Sequence, residues 1–264
     1  MERFDYRRPS SVAEACAALR ADPDARIVAG GMSLLPTMKL GLATPSCLID
    51  LCEVAELNKI AIDGNSLVIG AMTCHADVAR DPLVRAHLPA LAALAGGIGD
   101  VQVRYRGTLG GALANNDPAA DYPAAALALG ADIVTDRRTL SASAFFTDLF
   151  ETALDVDEVV VAVRFPCPRR AAYAKLPHPA SRYAIAGVFV ADTADGPRVA
   201  VTGAGPLVFR APAIEAALAG SFAASALADV TLNPDDLNDD PYASAEYRAH
   251  QVVVLAKRAV DALA

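Results

Sequence analysis

Tryptophan is absent from this sequence of 264 residues, and aromatic residues make up only 6% of it. Its five cysteines, at positions 16, 47, 52, 74 and 167, include no Cys-x-x-Cys pair. The spacing that iron–sulfur clusters or structural zinc sites require is therefore missing. The four histidines are scattered along the chain. We infer no metal site and expect the cysteines to be buried free thiols.

Long apolar runs and basic clusters are also missing. No run reaches the roughly 20 apolar residues that span a bilayer, and Met1 to Tyr6 lack the apolar core of a signal peptide. The net charge of −8 contains no basic run, which argues against nucleic acid and anionic membrane surfaces as partners. We expect no membrane span, no nucleic-acid partner and a cytoplasmic location.

The residues that are present indicate an ordered globular protein, because 54% of them are hydrophobic and no segment is of low complexity. A capping box at Ser11 to Glu14 predicts a helix over 11–20. Prolines and paired arginines at 165–170 predict a domain boundary. Apolar patterns predict strands at 26–29, 47–51, 67–72, 131–136, 158–165, 183–191 and 198–202, and helices at 75–80, 89–95, 122–129, 211–219 and 244–263.

Two glycine-rich segments carry the chemistry. A glycine-rich loop over 30–39, which begins Gly30-Gly31-Met32-Ser33, follows the strand at 26–29, and a second segment, 107–112, has three glycines around Thr108. Glycine lets backbone N–H groups turn toward an anion, and a nearby hydroxyl adds a donor. Each segment alone is as compatible with an ordinary turn as with an anion-binding site. Two such segments in one chain suit a ligand with two adjacent phosphates. The Rossmann and P-loop fingerprints are both absent, which argues against those two classes of nucleotide-binding site.

The segments 29–36 and 107–112, with Asp117-Pro118-Ala119-Ala120-Asp121 after the second, resemble the two FAD-binding motifs of a known family. This family is the flavoprotein (medium) subunit of molybdenum hydroxylases, which includes aerobic carbon monoxide dehydrogenase and xanthine dehydrogenases. Similar landmarks occur in the same order along nearly the whole chain. They lie at 4–6, 42–51, 69–73, 102–108, 175–185 and 201–205.

The resemblance implies an α+β protein with FAD as its cofactor. Its first part would be a two-part FAD-binding domain of the vanillyl-alcohol-oxidase (PCMH) type, over residues 1–166 with subdomains of about 1–55 and 56–166. A small α+β domain of the carbon monoxide dehydrogenase flavoprotein type would follow over 167–264. By the same resemblance, the pyrophosphate would be cradled by Ala29, Gly30, Gly31, Met32, Ser33, Thr108, Leu109, Gly110, Gly111 and Ala112.

Four further residues follow from the resemblance. Asp121 would accept hydrogen bonds from a sugar or ribityl hydroxyl, although it could instead cap the helix that starts at 122. Lys175 and Tyr183 would approach the flavin, where a cation could stabilise negative charge on the reduced ring and a phenol could shield its face. Val159 would touch the adenine or the ring system. Asp117 is interpreted as a turn residue before Pro118.

The implied function is electron transfer within a heterotrimer. A molybdopterin-binding large subunit would hydroxylate the substrate, an iron–sulfur small subunit would relay electrons, and this chain's FAD would pass them to an external acceptor. We therefore name no catalytic residue in this chain. Two alternatives stay open: a stand-alone FAD-dependent oxidoreductase of the same fold, and a non-enzymatic assembly subunit that binds no flavin.

Overall fold

The computed structural model describes residues 1–263, which form three main sheets and a two-stranded hairpin with helices packed against them. The strands are β1 (Asp5–Arg7), β2 (Arg26–Val28), β3 (Cys47–Asp50), β4 (Ile60–Asp63), β5 (Ser66–Gly70), β6 (Asp132–Thr135), β7 (Thr139–Ser141), β8 (Phe146–Asp148), β9 (Glu151–Thr152), β10 (Val160–Pro166), β11 (Arg170–Pro177), β12 (Ala184–Thr193), β13 (Gly196–Thr202) and β14 (Phe209–Arg210). The helices are α1 (Val12–Ala21), α2 (Leu34–Lys39), α3 (His75–Arg80), α4 (Pro82–His87), α5 (Pro89–Gly96), α6 (Val101–Arg104), α7 (Leu109–Asn115), α8 (Tyr122–Leu129), α9 (Ala142–Phe145), α10 (Pro212–Gly220) and α11 (Ala245–Asp261).

The first sheet is parallel, in the order β1-β3-β2, and α1 packs on it. Helix α1 buries Ala15, Cys16 and Leu19 in one cluster with Ile49 of β3. The Ser11 hydroxyl caps the helix by accepting the Glu14 N–H. Strand β2 lies at the edge of this sheet and ends at Val28, so the first glycine segment begins directly after it.

The second sheet is antiparallel, in the order β4-β5-β10-β6-β7, so its central strand β10 comes after helices α3 to α8 in the chain. Its core is a cluster of fully buried apolar side chains that includes Leu67, Ile69, Val163 and Phe165. Helix α8 contributes to this cluster, and all of its residues are buried. A helix that is apolar on every side is expected to lie between layers rather than at the surface.

The third sheet is antiparallel, in the order β11-β12-β13-β14, and covers the other side of α8. Side chains of β12 alternate between two cores, as the period of two residues in a strand requires. Val188 and Val190 belong to the cluster that contains α10 and α11, whereas Phe189 and Ala191 belong to the cluster of α8 and the second sheet. The third sheet is therefore built into the main core.

The fold class is confirmed as α+β, and most predicted elements occur within a few residues of their expected bounds. Residues 34–39 are a correction, because they were expected to continue the glycine-rich loop and instead form α2. Pro36 lies in the first turn of that helix, where an amide has no intrahelical partner, so it does not break the helix. Helix α4 was missed; Asp81 caps it through the Leu83 and Val84 N–H groups. The domain bounds at 166 and 167 stay a prediction.

Candidate cofactor-binding site

The two glycine segments lie directly against each other. A Cβ at Gly30 would overlap the backbone carbonyl of Arg106, so only glycine allows this approach. On the opposite side of the contact, a Cβ at Gly111 would lie 3.5 Å from the Ala29 Cβ. The first sheet positions one segment and the start of α7 positions the other. Segments that are distant in the sequence thus form one wall.

The first segment presents free backbone donors. Within residues 1–263, the N–H groups of residues 30–34 have no hydrogen-bond acceptor. Gly31 turns the chain with φ +71°, a conformation that favours glycine. Successive free amides in a turn form a concave anion-binding surface. This segment can therefore hold a phosphate through its backbone.

Most backbone amides of the second segment are already hydrogen-bonded within the protein, although they were expected to be free like those of the first. Leu109 N–H donates to the Thr73 carbonyl at 3.0 Å, and Gly110 N–H donates to the Ala71 carbonyl at 2.8 Å. Gly111 N–H donates to the Thr108 hydroxyl at 3.2 Å. These bonds form because the chain entering α7 pairs with residues 71–75. Thr108 N–H has no acceptor within residues 1–263, and Thr108 Oγ1 still has its own proton to donate, so Thr108 supplies the donors that this segment offers.

A cavity of about 690 Å³ runs along this wall, within the range of cofactor sites. Most of the residues singled out from the sequence line it. They are Ala29, Gly30, Gly31, Met32, Ser33, Thr108, Gly111, Ala112, Asp121 and Tyr183. Asp117 also lines it, and its carboxylate accepts the Ala119 N–H at 2.8 Å, which is the turn role that was expected.

Four candidate residues do not line the cavity. Leu109 is fully buried in the core. Gly110 packs on Ala71, whose Cβ would lie 2.5 Å from a Cβ added at Gly110, so this glycine serves helix packing. Val159 is buried beside α1 and β3 rather than on the cavity surface. Lys175 lies behind Asp121. Any effect of these four residues on a ligand would pass through their neighbours.

Asp121 is a buried carboxylate on the cavity wall, with only 4% of its surface exposed. Tyr173 Oη donates to its Oδ1, and Lys175 Nζ lies 3.0 Å from the same oxygen. Burial raises the pKa of Asp121 above its usual value, and Lys175 and the Tyr173 hydroxyl offset this rise only in part. The helix-capping alternative is wrong, because the Asp121 side chain makes no capping hydrogen bond to α8.

Sequence reasoning missed His75 and Tyr122. Both line the cavity and are buried, with ring centroids 5.3 Å apart. Their polar atoms Nδ1 and Oη have no hydrogen-bond partner within the described residues. Burial and the nearby Arg104 lower the pKa of His75 to about 4, so its ring is neutral at pH 7. No local sequence pattern distinguishes either residue. What distinguishes them is a buried polar atom without a hydrogen-bond partner, which only the structure reveals.

These observations test whether the cavity suits FAD. The cavity carries free backbone amides, a hydroxyl and a carboxylate, and polar groups in proteins normally have partners. A ligand with phosphates and several hydroxyl groups would supply those partners. The residues present therefore fit FAD.

Another part of the cavity lining is joined to Arg138 and Thr135 by an ion pair and hydrogen bonds. Leu154, Asp155, Val156 and Glu158 line this part. The Glu158 carboxylate accepts hydrogen bonds from Arg138 and, at 2.7 Å, from the Thr135 hydroxyl. The Arg138 hydrogen bond is the main reason that the pKa of Glu158 falls to about 2. The carboxylate thus stays charged and fixes the segment before β10.

Neither a metal-binding cluster nor a membrane-spanning helix occurs in the described part of the chain. No group of three or more His, Cys, Asp or Glu side chains within residues 1–263 could hold a metal ion. None of the helices in this range is long and apolar enough to cross a membrane.

This fold and cavity define a flavin-binding subunit of the PCMH type. Residues 2–168 match the family described as FAD binding domain in molybdopterin dehydrogenase. The chain belongs to this family, is an FAD-dependent oxidoreductase subunit of the molybdenum hydroxylase type, and uses FAD as its cofactor.

Similarity to individual proteins extends over the whole chain. The carbon monoxide dehydrogenase medium chain of Hydrogenophaga pseudoflava is 38% identical, with 98% of this chain and 96% of that protein covered. The nicotine 6-hydroxylase medium subunit of Paenarthrobacter nicotinovorans is 36% identical, with 97% and 95% covered. A solved chain of quinoline 2-oxidoreductase from Pseudomonas putida 86 superposes with a TM-score of 0.90 at 30% identity, with 99% and 96% covered.

Proposed function

We propose that this chain is the electron-transferring medium subunit of a three-subunit molybdenum hydroxylase. It would receive electrons from iron–sulfur clusters of a small subunit and deliver them through FAD to an external acceptor. The observation that carries the proposal is the single cavity on which the free amides of 30–34, the Thr108 hydroxyl and the Asp121 carboxylate converge. The similarity to medium subunits over nearly the whole chain supports it.

In this proposal, the chain's residues hold and orient the cofactor. The amides of residues 30–34 and the Thr108 hydroxyl bind the pyrophosphate. Asp121, which lines the cavity, accepts a hydrogen bond from a sugar or ribityl hydroxyl. Tyr183, on the cavity rim, covers the flavin. When bound, FAD supplies the capacity to accept electrons singly and release them in pairs.

The proposed partners are a molybdopterin-binding large subunit and an iron–sulfur small subunit, in a heterotrimer located in the cytoplasm. Substrate hydroxylation would take place in the large subunit, so the residues that select the substrate would lie outside this chain. The proposal also divides the chain into an FAD-binding domain at 1–166 and a C-terminal domain at 167–264.

Purification with the products of adjacent genes tests this function. We expect a complex that contains a molybdopterin-type chain and a chain with clustered Cys-x-x-Cys motifs, and that releases FAD on denaturation. Anaerobic photoreduction of the iron–sulfur clusters should then be followed by bleaching of the flavin absorbance. The matched control is the complex depleted of the small subunit, in which flavin bleaching should slow strongly.

The two alternatives predict other results. A stand-alone oxidoreductase would turn over a small molecule as an isolated chain. A non-enzymatic assembly subunit would contain no FAD and would take up none. Flavin that bleaches at the same rate with and without the small subunit would contradict the proposed electron route.

A further inference from the structure

We propose that Tyr173 is a positioning residue of the flavin site, whose hydroxyl fixes the buried Asp121 carboxylate in the orientation that faces the cavity and pairs with Lys175. The inference rests on the proposed function. It concerns a residue that does not line the cavity and that no sequence motif singled out. Four observations carry it.

The first observation is that Asp121 is held from one side by one strand. Tyr173 and Lys175 are two residues apart on β11, so both side chains leave the same face of the third sheet. Tyr173 Oη donates to Asp121 Oδ1, and Lys175 Nζ lies 3.1 Å from Oδ2. The start of α8 is thereby joined to β11 at the wall of the cavity.

The second observation is that the neighbouring strand is shaped around the Tyr173 hydroxyl. Gly187 on β12 pairs with Lys175 in the sheet register. A Cβ on Gly187 would overlap the Tyr173 hydroxyl oxygen. Any other residue at 187 would push the phenol away from Asp121. The structure thus reserves space for this hydroxyl in the middle of a strand, where glycine is otherwise unfavourable.

The third observation concerns which side of the carboxylate is left for a ligand. An ionised carboxylate has about four acceptor positions on its two oxygens. Tyr173 and Lys175 take those on the side of β11. The carboxylate keeps acceptor positions that neither residue occupies, and Asp121 lines the cavity, so a ligand there can use them. Without the Tyr173 hydroxyl, the carboxylate could rotate toward Lys175 and withdraw from the cavity.

The fourth observation is that Lys175 cannot replace this restraint. Its ammonium group also donates to the Gly97 carbonyl at 2.9 Å and to the Arg182 carbonyl at 3.2 Å. An ammonium has three protons to donate, and all three have acceptors. Lys175 therefore pulls the carboxylate toward the loops at 97 and 182, whereas Tyr173 holds it against the cavity wall.

The test compares Tyr173→Phe with wild type in the purified multi-subunit complex. We expect the Kd for FAD to rise about tenfold, because a hydrogen bond to a buried charged group is lost. The flavin midpoint potential should change as well, since a buried carboxylate on the cavity wall moves. Tyr242→Phe is the matched control: Tyr242 is exposed, its hydroxyl has no partner in the described residues, and its variant should bind FAD like wild type.

A double-mutant cycle separates positioning from a general packing role. If Tyr173 acts through Asp121, adding Tyr173→Phe to Asp121→Asn should change the FAD Kd by less than about twofold and leave the potential of the single Asp121→Asn variant unchanged. Gly187→Ala, if it folds, should reproduce the Tyr173→Phe effect on FAD.

Three results would overturn the inference. One is a Tyr173→Phe complex that binds FAD within about twofold of wild type. The second is an unchanged flavin potential in that variant. The third is an equal loss of affinity with and without Asp121, which would indicate packing alone. A wild-type complex that contains no FAD would instead contradict the proposed function, so the two failures are distinguishable.

Discussion

Individual side chains determine how this cavity can hold an anionic, hydroxyl-rich cofactor. Asp121 supplies the negative charge and His75 supplies a neutral ring, although both are almost completely buried. Burial disfavours the charged form of both groups, so it raises the pKa of Asp121 and lowers that of His75. Lys175 and the Tyr173 hydroxyl oppose this effect at Asp121, whereas Arg104 adds to it at His75.

The buried His75 makes stability depend on pH. Its pKa is about 4 in the folded chain, against about 6.5 in the unfolded chain. The unfolded state therefore binds more protons between these values. The contribution of neutral His75 to the free energy of unfolding is fully present above pH 6.5 and is lost as the pH drops toward 4. We expect a loss of about 3 kcal/mol over this interval, measured by urea unfolding at a series of pH values.

His75→Gln removes the titrating group and should flatten the stability profile between pH 6.5 and 4, whatever its stability at pH 7. The control is His87→Gln, because His87 is exposed on α4 and its removal should leave the slope unchanged. An identical slope in wild type and His75→Gln would show that another group causes the pH dependence.

At the scale of elements, the two glycine segments play unequal parts. The segment before α2 keeps its amides free because it leaves a parallel strand and pairs with no other strand. The segment before α7 uses its amides to join the helix to residues 71 and 73. The first segment thus keeps its amides available to a ligand, whereas the second uses most of its amides to join α7 to the neighbouring chain.

Two glycines at opposite ends of α2 allow a matched test of this division. Gly31 has φ +71° and Gly41 has φ +73°, so an alanine at either position costs about 1–2 kcal/mol in backbone strain. A Cβ at Gly31 would also lie 2.9 Å from the Leu35 side chain, whereas a Cβ at Gly41 would have nothing within 4 Å.

We expect Gly31→Ala and Gly41→Ala each to lower the free energy of unfolding by about 1–2 kcal/mol, with Gly31→Ala at the upper end because its Cβ would contact Leu35. Only Gly31→Ala should weaken FAD binding, by about tenfold or more, because it displaces the free amides. Chemical denaturation and FAD titration of the purified complexes measure the two effects. Equal FAD affinity in both variants would place the phosphate site elsewhere.

At the scale of the whole molecule, the C-terminal sheet completes the core of the FAD-binding part. Phe189, Ala191 and Ala200 are fully buried in the same cluster as α8 and the second sheet. The Thr202 hydroxyl donates to the Pro118 carbonyl at 2.9 Å, in the turn that leads to Asp121. The sheet thus supports the cavity wall from behind.

A chain shortened to residues 1–168 should therefore fail to fold cooperatively, although it contains the whole family match. Loss of the third sheet would expose α8, whose residues are all buried and almost all apolar. Size-exclusion chromatography and thermal unfolding should reveal aggregation and a broad transition, whereas the full-length chain should unfold in a single transition. A monomeric fragment with a sharp transition would contradict this expectation.

Much of the fold could be predicted because its patterns are local. The strand before Gly30, the all-apolar helix after Asp121 and the amphipathic C-terminal helix follow from residues close together in the chain. Helix α2 was missed because Pro36 is a helix breaker in the interior but not in the first turn, and only the exact start of the helix separates the two cases.

Part of the candidate site could be predicted from the sequence because its patterns are also local. Glycines beside hydroxyls mark the segments at 29–33 and 108–112, and the family resemblance added Asp121 and Tyr183, which line the cavity. It also added Val159 and Lys175, which do not. His75 and Tyr122 could not be found, because a partnerless buried polar atom is recognised only once its surroundings are known.

The sequence by itself determined the family, the cofactor and the two glycine segments that line the cavity, since these depend on glycine and hydroxyl residues adjacent in the chain. Tertiary structure alone decided which amides stay free and which residues hold Asp121. Tyr173, Lys175 and Gly187 reach that carboxylate from two strands of another sheet. The physical reason is that local conformation depends on neighbouring residues, whereas the partner of a buried polar group depends on how separate elements pack.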